Sequence, residues 1–258
     1  MMKKTTTLAI LLAATLVPAT AGERIDKHLS ASRDGLVTIE NVAGSVRVTG
    51  WDRDEVELTG TLGKETEELV FTNTGNRTTI RVELPEHTRD VEGSDLVVKV
   101  PRSSRLEINV VSASANVADL DGELKVESVS GNVDATGTIT DAEISTVSGT
   151  IQLSTDGTLS RGSFKSVSGK IDVGGDLGTS GRYQFETVSG NVDLRLPRRS
   201  SAEFDLSSFS GNITNDFGEK PAKTSEYLPS QELKFSVGSG GARVFVKTLS
   251  GSIHLRSE

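Results

Sequence analysis

The chain has no cysteine and few aromatic residues. Its 258 residues include one tryptophan, two tyrosines and 26 glycines against 6 prolines. The absence of cysteine excludes a disulfide framework, a thiolate metal site, a cysteine nucleophile and the lipid-modified cysteine of a lipoprotein. The scarcity of aromatic residues argues against an aromatic-lined ligand pocket. With 34 % hydrophobic and 25 % charged residues, the composition is typical of a folded protein with a regular framework and a buried core.

The first 21 residues have the pattern of a signal peptide. Lys3–Lys4 precede an apolar run over Leu8–Val17, and Ala19–Ala21 supplies the small-x-small ending that signal peptidase cuts. The run of about ten residues is shorter than the roughly 20 that span a bilayer, and no later stretch is long and apolar enough to do so. We therefore expect cleavage before Gly22 and an exported chain, periplasmic or extracellular, with no transmembrane segment.

The chain is acidic, with a formal net charge of −8. This sign argues against a nucleic-acid partner and against docking on anionic phospholipid, because both require clustered lysine and arginine. The densest basic cluster, at residues 195–199, is small, and we interpret it as a solvated turn.

A short phrase recurs along the second half of the chain. It reads apolar-Ser-Gly-x-Val/Ile, and its glycines are Gly131, Gly149, Gly169, Gly190, Gly211 and Gly251. Two weaker copies precede these, one with Ala113 in the glycine position and one at Gly44 with alanine in the serine position. The spacing of about 20 residues, with a longer step before Gly251, predicts a stacked architecture with one insertion before the last copy.

Each copy has two runs of alternating apolar residues. Apolar side chains lie two and usually four residues after each glycine, and another lies five residues before it, which predicts two strands with one buried face each. The two alternations are out of phase. Alternation along the earlier strand places an inward side chain three residues before the glycine, but the apolar residue lies two residues before it. We therefore expect a bend or bulge at the Ser or Thr three before the glycine.

The repeated glycine and serine have structural interpretations. Glycine at such a corner permits a positive φ or a close approach to the adjacent coil. The serine can hydrogen-bond to backbone at the bend or to its equivalent in the next coil. A serine repeated six times is a poor candidate for a unique nucleophile, so we assign no catalytic residue.

No cofactor or metal site is predicted. The three histidines, His28, His87 and His254, are far apart in the sequence and lack zinc-ligand spacing. Asp134, Asp172 and Asp193 each lie three residues after a repeat glycine. We interpret this row as a solvated polar face, because the glycine-rich calcium-binding repeat is absent.

These patterns predict an all-β fold, namely a β-solenoid of the parallel β-helix or β-roll type with coils of about 18–21 residues. A meandering antiparallel sheet and a β-propeller are the competing all-β architectures. We expect residues 22–35 to be flexible and polar. Residues 36–110 form an N-terminal β region with the first coil and a cap, and residues 111–258 form the solenoid with an insertion at 218–232.

The chain resembles a known family. The residues that carry the resemblance are Gly44–Val56, with its Gly-Trp-Asp phrase, Val100–Arg102, and the serial Ser-Gly repeats. Together they are similar to the bacterial β-strand-repeat family labelled "putative adhesin", whose function is unassigned, over residues 37–257. The resemblance implies an exported, non-catalytic solenoid and supplies no catalytic residues.

Two functions remain open from the sequence. The first is a structural or adhesion role in the bacterial cell envelope, in which the solenoid presents a strand-rich face to a protein or glycan. The second is a carbohydrate-active β-helix enzyme, in which outward aspartates and basic residues of neighbouring coils act on a polysaccharide. The scarcity of aromatic residues argues against the second function.

The signal-peptide interpretation predicts the N-terminus of the protein in its host. Intact-mass measurement should find a chain that begins at Gly22. Replacing Ala21 with arginine should leave the uncleaved precursor, because the peptidase requires a small residue there. Recovery of the wild-type chain with residues 1–21 still attached would contradict this interpretation.

Overall fold

The computed structural model describes residues 22–85, 91–223 and 229–258, and in these ranges every regular element is a β-strand. The predicted signal peptide and His87 lie outside the described residues. The strands are β1 (Arg24–Ser30), β2 (Leu36–Trp51), β3 (Glu55–Thr61), β4 (Glu68–Thr74), β5 (Arg77–Glu83), β6 (Ser94–Pro101), β7 (Arg105–Leu120), β8 (Glu123–Ser128), β9 (Val133–Gly137), β10 (Asp141–Thr146), β11 (Ile151–Ser166), β12 (Ile171–Thr187), β13 (Val192–Leu196), β14 (Ala202–Ser208), β15 (Ile213–Asn215), β16 (Ala222–Lys223), β17 (Gln231–Val237), β18 (Ala242–Thr248) and β19 (Ile253–Ser257).

The strands build a β-solenoid in which each coil contributes to two parallel sheets. In the first sheet, β7, β8, β10 and the second halves of β11 and β12 pair in that order. In the second sheet, β7 continues into pairing with β9, which pairs with the first half of β11. Equivalent positions of the repeat are register partners, as Ile144 is with Val126 and Phe164. The predicted fold class is therefore confirmed.

The order of coils in the stack departs from chain order at both ends. The C-terminal coil, β18 and β19, pairs with β12 and β13 on one side and with β14 and β15 on the other. It therefore lies between two coils that precede it in the chain. At the other end, β2 lies between β7 and the coil formed by β5 and β6.

The coil that carries Gly251 lies between the coils of Gly190 and Gly211. The segment between the Gly211 and Gly251 copies gives β17, which pairs antiparallel with the outer side of β14. The chain then crosses back over β14 through the turn at residues 238–241, and β18 enters on the other side of β14. The insertion is thus a cap that sends the last coil inward.

Antiparallel strands close the N-terminal end of the stack. β4 pairs with β5, β3 pairs with β6, and β1 pairs with β3. We expected residues 22–35 to be flexible, and this is wrong for Arg24–Ser30, because all seven residues of β1 pair with β3 and Ile25 is buried. Most other side chains of β1 are exposed, including Asp26 and Lys27. Charges on an outermost strand oppose further strand pairing.

The core is one continuous cluster of inward side chains from both sheets, mostly valine, isoleucine and leucine. Aromatic residues occur in adjacent coils, where Phe164 stacks on Phe185 with ring centroids 4.9 Å apart. At the C-terminal end Phe204 stacks on Phe235 of the cap, also at 4.9 Å. The interior of each coil therefore packs on the equivalent side chains of the coils above and below it.

The repeat glycines form a column at one corner of the stack. In each of the six copies, a Cβ on the glycine would overlap the carbonyl oxygen of the residue in the glycine position of the adjacent coil. The column runs from Ala113 through Gly131, Gly149, Gly169, Gly190 and Gly251 to Gly211. None of these six glycines has a positive φ, so close approach rather than backbone conformation requires glycine here. Gly44, with a φ of 104°, combines both requirements.

Replacing Gly190 with alanine is expected to lower the free energy of unfolding by about 3 kcal/mol or more, because the added methyl meets backbone that cannot move aside. The matched control is Ser189→Ala, which changes an exposed neighbour and should stay within about 0.5 kcal/mol of wild type. Urea unfolding of both variants measures the difference. Equal stability of the two variants would show that the corner is not close-packed.

Candidate functional site

The same side-chain hydrogen bond occurs at every corner of the repeat. The glycine N–H donates to the hydroxyl oxygen of the Ser or Thr three residues earlier, at 2.7–2.9 Å in all six copies. These hydroxyl residues are buried, with 2–7 % of their surface exposed. They are Ser128, Thr146, Ser166, Thr187, Ser208 and Thr248. The hydroxyl therefore gives the glycine N–H a partner where the chain turns the corner.

The corner hydrogen bond changes the interpretation of the out-of-phase apolar residue. We expected a bend or bulge at the Ser or Thr. No register shift occurs there, and the bend begins at the next residue, as it does at Val147 after Thr146. The strand alternation instead continues through the buried hydroxyl residue, and the next residue points to solvent. The phase disagreement in the sequence was thus the signal of an outward apolar side chain.

These outward side chains form an exposed apolar ladder along the corner. We define the apolar ladder, in stack order, as Val111, Val129, Val147, Val167, Val188, Leu249 and Phe209. Each has 43–51 % of its surface exposed. Among the described residues, Phe245 is the only other large hydrophobic residue that is exposed. Single exposed apolar residues are common, but a contiguous line of them is typical of an interaction surface.

Backbone hydrogen bonds hold the ladder in register. The N–H of the serine that follows each ladder residue donates to the carbonyl oxygen of the ladder residue in the preceding coil. The Ser148 N–H, for example, donates to the Val129 carbonyl at 2.9 Å, and the Ser250 N–H donates to the Val188 carbonyl at 2.8 Å. Because each coil repeats this contact, the ladder residues stack at the strand spacing of about 4.8 Å.

A row of mostly polar and charged side chains runs beside the ladder. We define the flanking row as the residues two positions before each ladder residue, together with the equivalent Glu40 of β2. In stack order they are Glu40, Asn109, Glu127, Ser145, Lys165, Glu186, Lys247 and Ser207, and neighbours in this order are register partners.

Two open grooves lie along the ladder and the flanking row, one beside the cap at each end of the stack. The groove near the C-terminal cap, of about 750 Å³, is lined by Lys165, Glu186, Glu232 and Lys247. The groove near the N-terminal cap, of about 680 Å³, contains Glu40 and Glu127 together with Glu67, Glu83 and Arg81. The N-terminal groove is therefore predominantly acidic, and the C-terminal groove has a balance of lysine and glutamate.

A second polar cluster lies on the outer side of the second sheet. Asp193 is 5 % exposed, and its carboxylate contacts the Lys170 ammonium at 2.7 Å and the His254 Nδ1 at 2.7 Å. Arg256 lies 3.5 Å from the same carboxylate. Lys170 also contacts Asp172, at 2.9 Å. The cluster joins residues of three adjacent coils, because β13 lies between β12 and β19.

The charges in this cluster stabilise one another. Burial alone would raise the pKa of Asp193, but hydrogen bonds to Lys170 and His254 and their positive charges outweigh burial and hold that pKa below its usual range. The pKa of Lys170 is raised, chiefly by its hydrogen bonds to Asp193 and Asp172. Asp193 therefore remains a carboxylate at neutral pH and accepts hydrogen bonds.

The predicted row of aspartates is only partly a solvated face. Asp134 is exposed and separated from Asp172 by Gln152 of the intervening coil, whereas Asp193 is buried among the cations. The basic segment at 195–199 is also not simply solvated, because Arg195 contacts Asp172 and Arg199 contacts Asp176, both at 2.9 Å. Sequence reasoning missed this cluster because Lys170 and His254 are far apart in the chain.

The described ranges lack two further kinds of feature. No group of three or more His, Cys, Asp or Glu side chains there could hold a metal ion. No helix there has the length and hydropathy of a membrane span.

Similarity to known proteins extends over nearly the whole chain. A family model described as Toastrack DUF4097 matches residues 35–256. No curated protein matches the chain.

Three solved bacterial structures are similar to the chain. A "putative cell adhesion protein" from Clostridium sporogenes is 11 % identical and covers 92 % of this chain and 100 % of its own, with a TM-score of 0.41. A "putative adhesin" from Bacteroides fragilis is 10 % identical and covers 90 % and 97 %, with a TM-score of 0.46. Another "putative adhesin", from Parabacteroides merdae, is 10 % identical and covers 91 % and 96 %, with a TM-score of 0.35.

The Asp193 cluster predicts a pH-dependent contribution to stability. A carboxylate whose pKa is lowered in the folded state adds stability above its unfolded pKa of about 3.9 and loses it as pH falls through the folded pKa. Asp193→Asn should therefore lower the free energy of unfolding by about 2 kcal/mol at pH 7. The difference from wild type should shrink as the pH is lowered below about 4.

Urea unfolding of wild type and Asp193→Asn at pH 7 and below about pH 4 measures the difference in their free energies of unfolding. Asp134→Asn is the matched control, on the exposed part of the same row. The control should stay within about 0.5 kcal/mol of wild type. A destabilisation by Asp193→Asn that is the same at pH 7 and at low pH would contradict the electrostatic explanation.

Proposed function

The chain belongs to the Toastrack DUF4097 family, and on that premise we propose that it is an exported, non-catalytic β-solenoid that binds a protein or glycan of the bacterial cell envelope. The observation that carries the proposal is the apolar ladder. Seven of the eight exposed large hydrophobic residues in the described ranges lie on this one line. A soluble monomer seldom leaves a contiguous apolar line uncovered, so the ladder favours a binding role.

The export part of the proposal is supported by the N-terminal segment. A basic start, a short apolar run and a small-x-small ending together are the signature of a secretory signal peptide. The absence of cysteine is compatible with an oxidising compartment, because no free thiol can be oxidised there.

The rigidity of the corner suits it to binding. Each ladder residue stands between a buried hydroxyl that binds the glycine N–H and a serine whose N–H binds the adjacent coil, as Val188 stands between Thr187 and Ser189. The side chains are therefore held in place before a partner arrives, which lowers the entropy lost on binding.

The charges of the Asp193 cluster argue against the carbohydrate-active alternative. A glycosidase of the usual kind needs a carboxylic acid whose pKa is raised so that it can donate a proton at neutral pH. The pKa of Asp193 is lowered, and Asp172 contacts both Lys170 and Arg195. Both carboxylates are thus engaged in ion pairs.

Replacing Val129, Val147 and Val167 together with serine tests the role of the ladder. The variant protein should be lost from washed cell envelopes of the host to a several-fold greater extent than wild type, because the apolar contact area is removed. The matched control replaces Asp134 and Gln152 with serine on the outer side of the second sheet, where both residues are exposed.

The proposal requires the control to be retained like wild type. Equal retention of the ladder variant and wild type would count against the ladder as the binding surface. Sugar release from a polysaccharide by the wild-type protein that disappears in Asp172→Ala and Asp193→Ala variants would support the enzymatic alternative instead.

A further inference from the structure

We propose that the apolar ladder binds a second copy of this chain, antiparallel to the first, about a two-fold axis that passes at Val147. The proposal rests on the proposed function and names the partner of the same surface. It is argued from the order of the side chains along the ladder and the flanking row, which the register of the coils defines.

The five valines of the ladder are symmetric about Val147, and Leu249 and Phe209 extend the ladder at one end. Two valines precede Val147 in the stack, Val111 and Val129, and two follow it, Val167 and Val188, all with 43–45 % of their surface exposed. An antiparallel copy places Val147 on its own equivalent and Val129 on Val167. An isologous contact of this kind uses the same surface on both copies and closes the assembly at two.

The charges of the flanking row are complementary in this arrangement. Glu127 of one copy lies opposite Lys165 of the second copy, and Glu40 lies opposite Lys247. The two-fold axis repeats each pair, so four oppositely charged pairs line the contact. Ser145, beside the axis, meets its own uncharged equivalent. The acidic groove of each copy therefore faces the groove of the other that contains Lys165 and Lys247.

The same charges select the register. Moving the second copy by one coil in one direction places Glu127 opposite Glu186, and moving it one coil in the other direction places Glu40 opposite Glu186. Both neighbouring registers therefore bring two carboxylates together, and like charges across an interface are strongly unfavourable. The antiparallel arrangement centred on Val147 avoids both contacts.

The contact has the length of a standard interface. The five valines of one copy face those of the other, and the flanking rows pair from Glu40 to Lys247, over six coil spacings or about 29 Å at the spacing of paired strands. A circular patch that buries about 800 Å² on each partner, as in a typical specific interface, is about 32 Å across. One copy therefore offers enough length for a stable contact.

The contact is confined to the ladder and the flanking row. Glu143 lies one row further out on the first sheet, in the same coil as Ser145, and it is exposed. On the two-fold axis it would face its own equivalent. The two copies are therefore expected to meet along their corners rather than across the whole first sheet.

Sedimentation of the full chain and of charge-reversal variants tests the proposal. The wild-type chain should form dimers, and Lys165→Glu or Glu127→Lys should each weaken dimerisation by about tenfold or more, because each places two like-charged pairs in the contact. Combining the two reversals should restore dimerisation. The matched control is Arg161→Glu, which reverses a charge in the same strand as Lys165 but four residues further from the ladder.

Rescue by the double reversal, with no effect of Arg161→Glu, supports the proposal. A wild-type chain that stays monomeric at the highest concentration it tolerates overturns it, and so does a dimer that neither single reversal weakens. If the chain is monomeric while the three-serine ladder variant is still lost from the envelope, the self-association fails and the proposed binding function stands. Urea unfolding of each single variant shows that it is folded.

Discussion

The architecture depends on the contact between each repeat glycine and the carbonyl oxygen beneath it. Without a Cβ, Gly169 can lie directly against Gly149, and this lets the corner keep the same spacing as the hydrogen-bonded strands on either side. A wider corner would force the coils to splay. The buried hydroxyl of Ser166 and the outward Val167 follow from this geometry, because the chain reaches the close contact only by turning immediately before it.

Both ends of the stack use the same arrangement to avoid an open edge. At the N-terminal end, β2 lies inside the coil of β5 and β6, and β4 pairs antiparallel with β5. At the C-terminal end, the coil of β18 and β19 lies inside the coil of β14 and β15, and β17 pairs antiparallel with β14. Strand edges are common places for proteins to associate, and here the outermost strands are short, charged or capped. The exposed large apolar side chains of the described residues lie instead mostly along the corner, in the apolar ladder.

Sequence spacing and alternation were sufficient to predict the solenoid and its inward positions, such as Val133 and Ile151. They could not predict the order of coils, because parallel coils of similar sequence can pair with one another almost equally well, and the cap decides which coil is inserted. The ladder was missed because the apolar residue two positions before each glycine was assumed to point inward. The burial of Asp193 depends on Lys170 and His254, and only the coil order brings them together.

The inserted coil of β18 and β19 makes the pairing of β14 and β15 depend on residues that come later in the chain. Residues 202–215 have no parallel neighbour on their inner side until residues 242–257 have been synthesised, since β18 and β19 form that neighbour. During synthesis from the N-terminus, coils can be added one after another only as far as β13. Strands β14 to β19 must then pair together as one unit, because β13 pairs with β19. The coil of β18 and β19 is thus paired on both sides, so a repeat that followed it directly would find no open strand edge beside it.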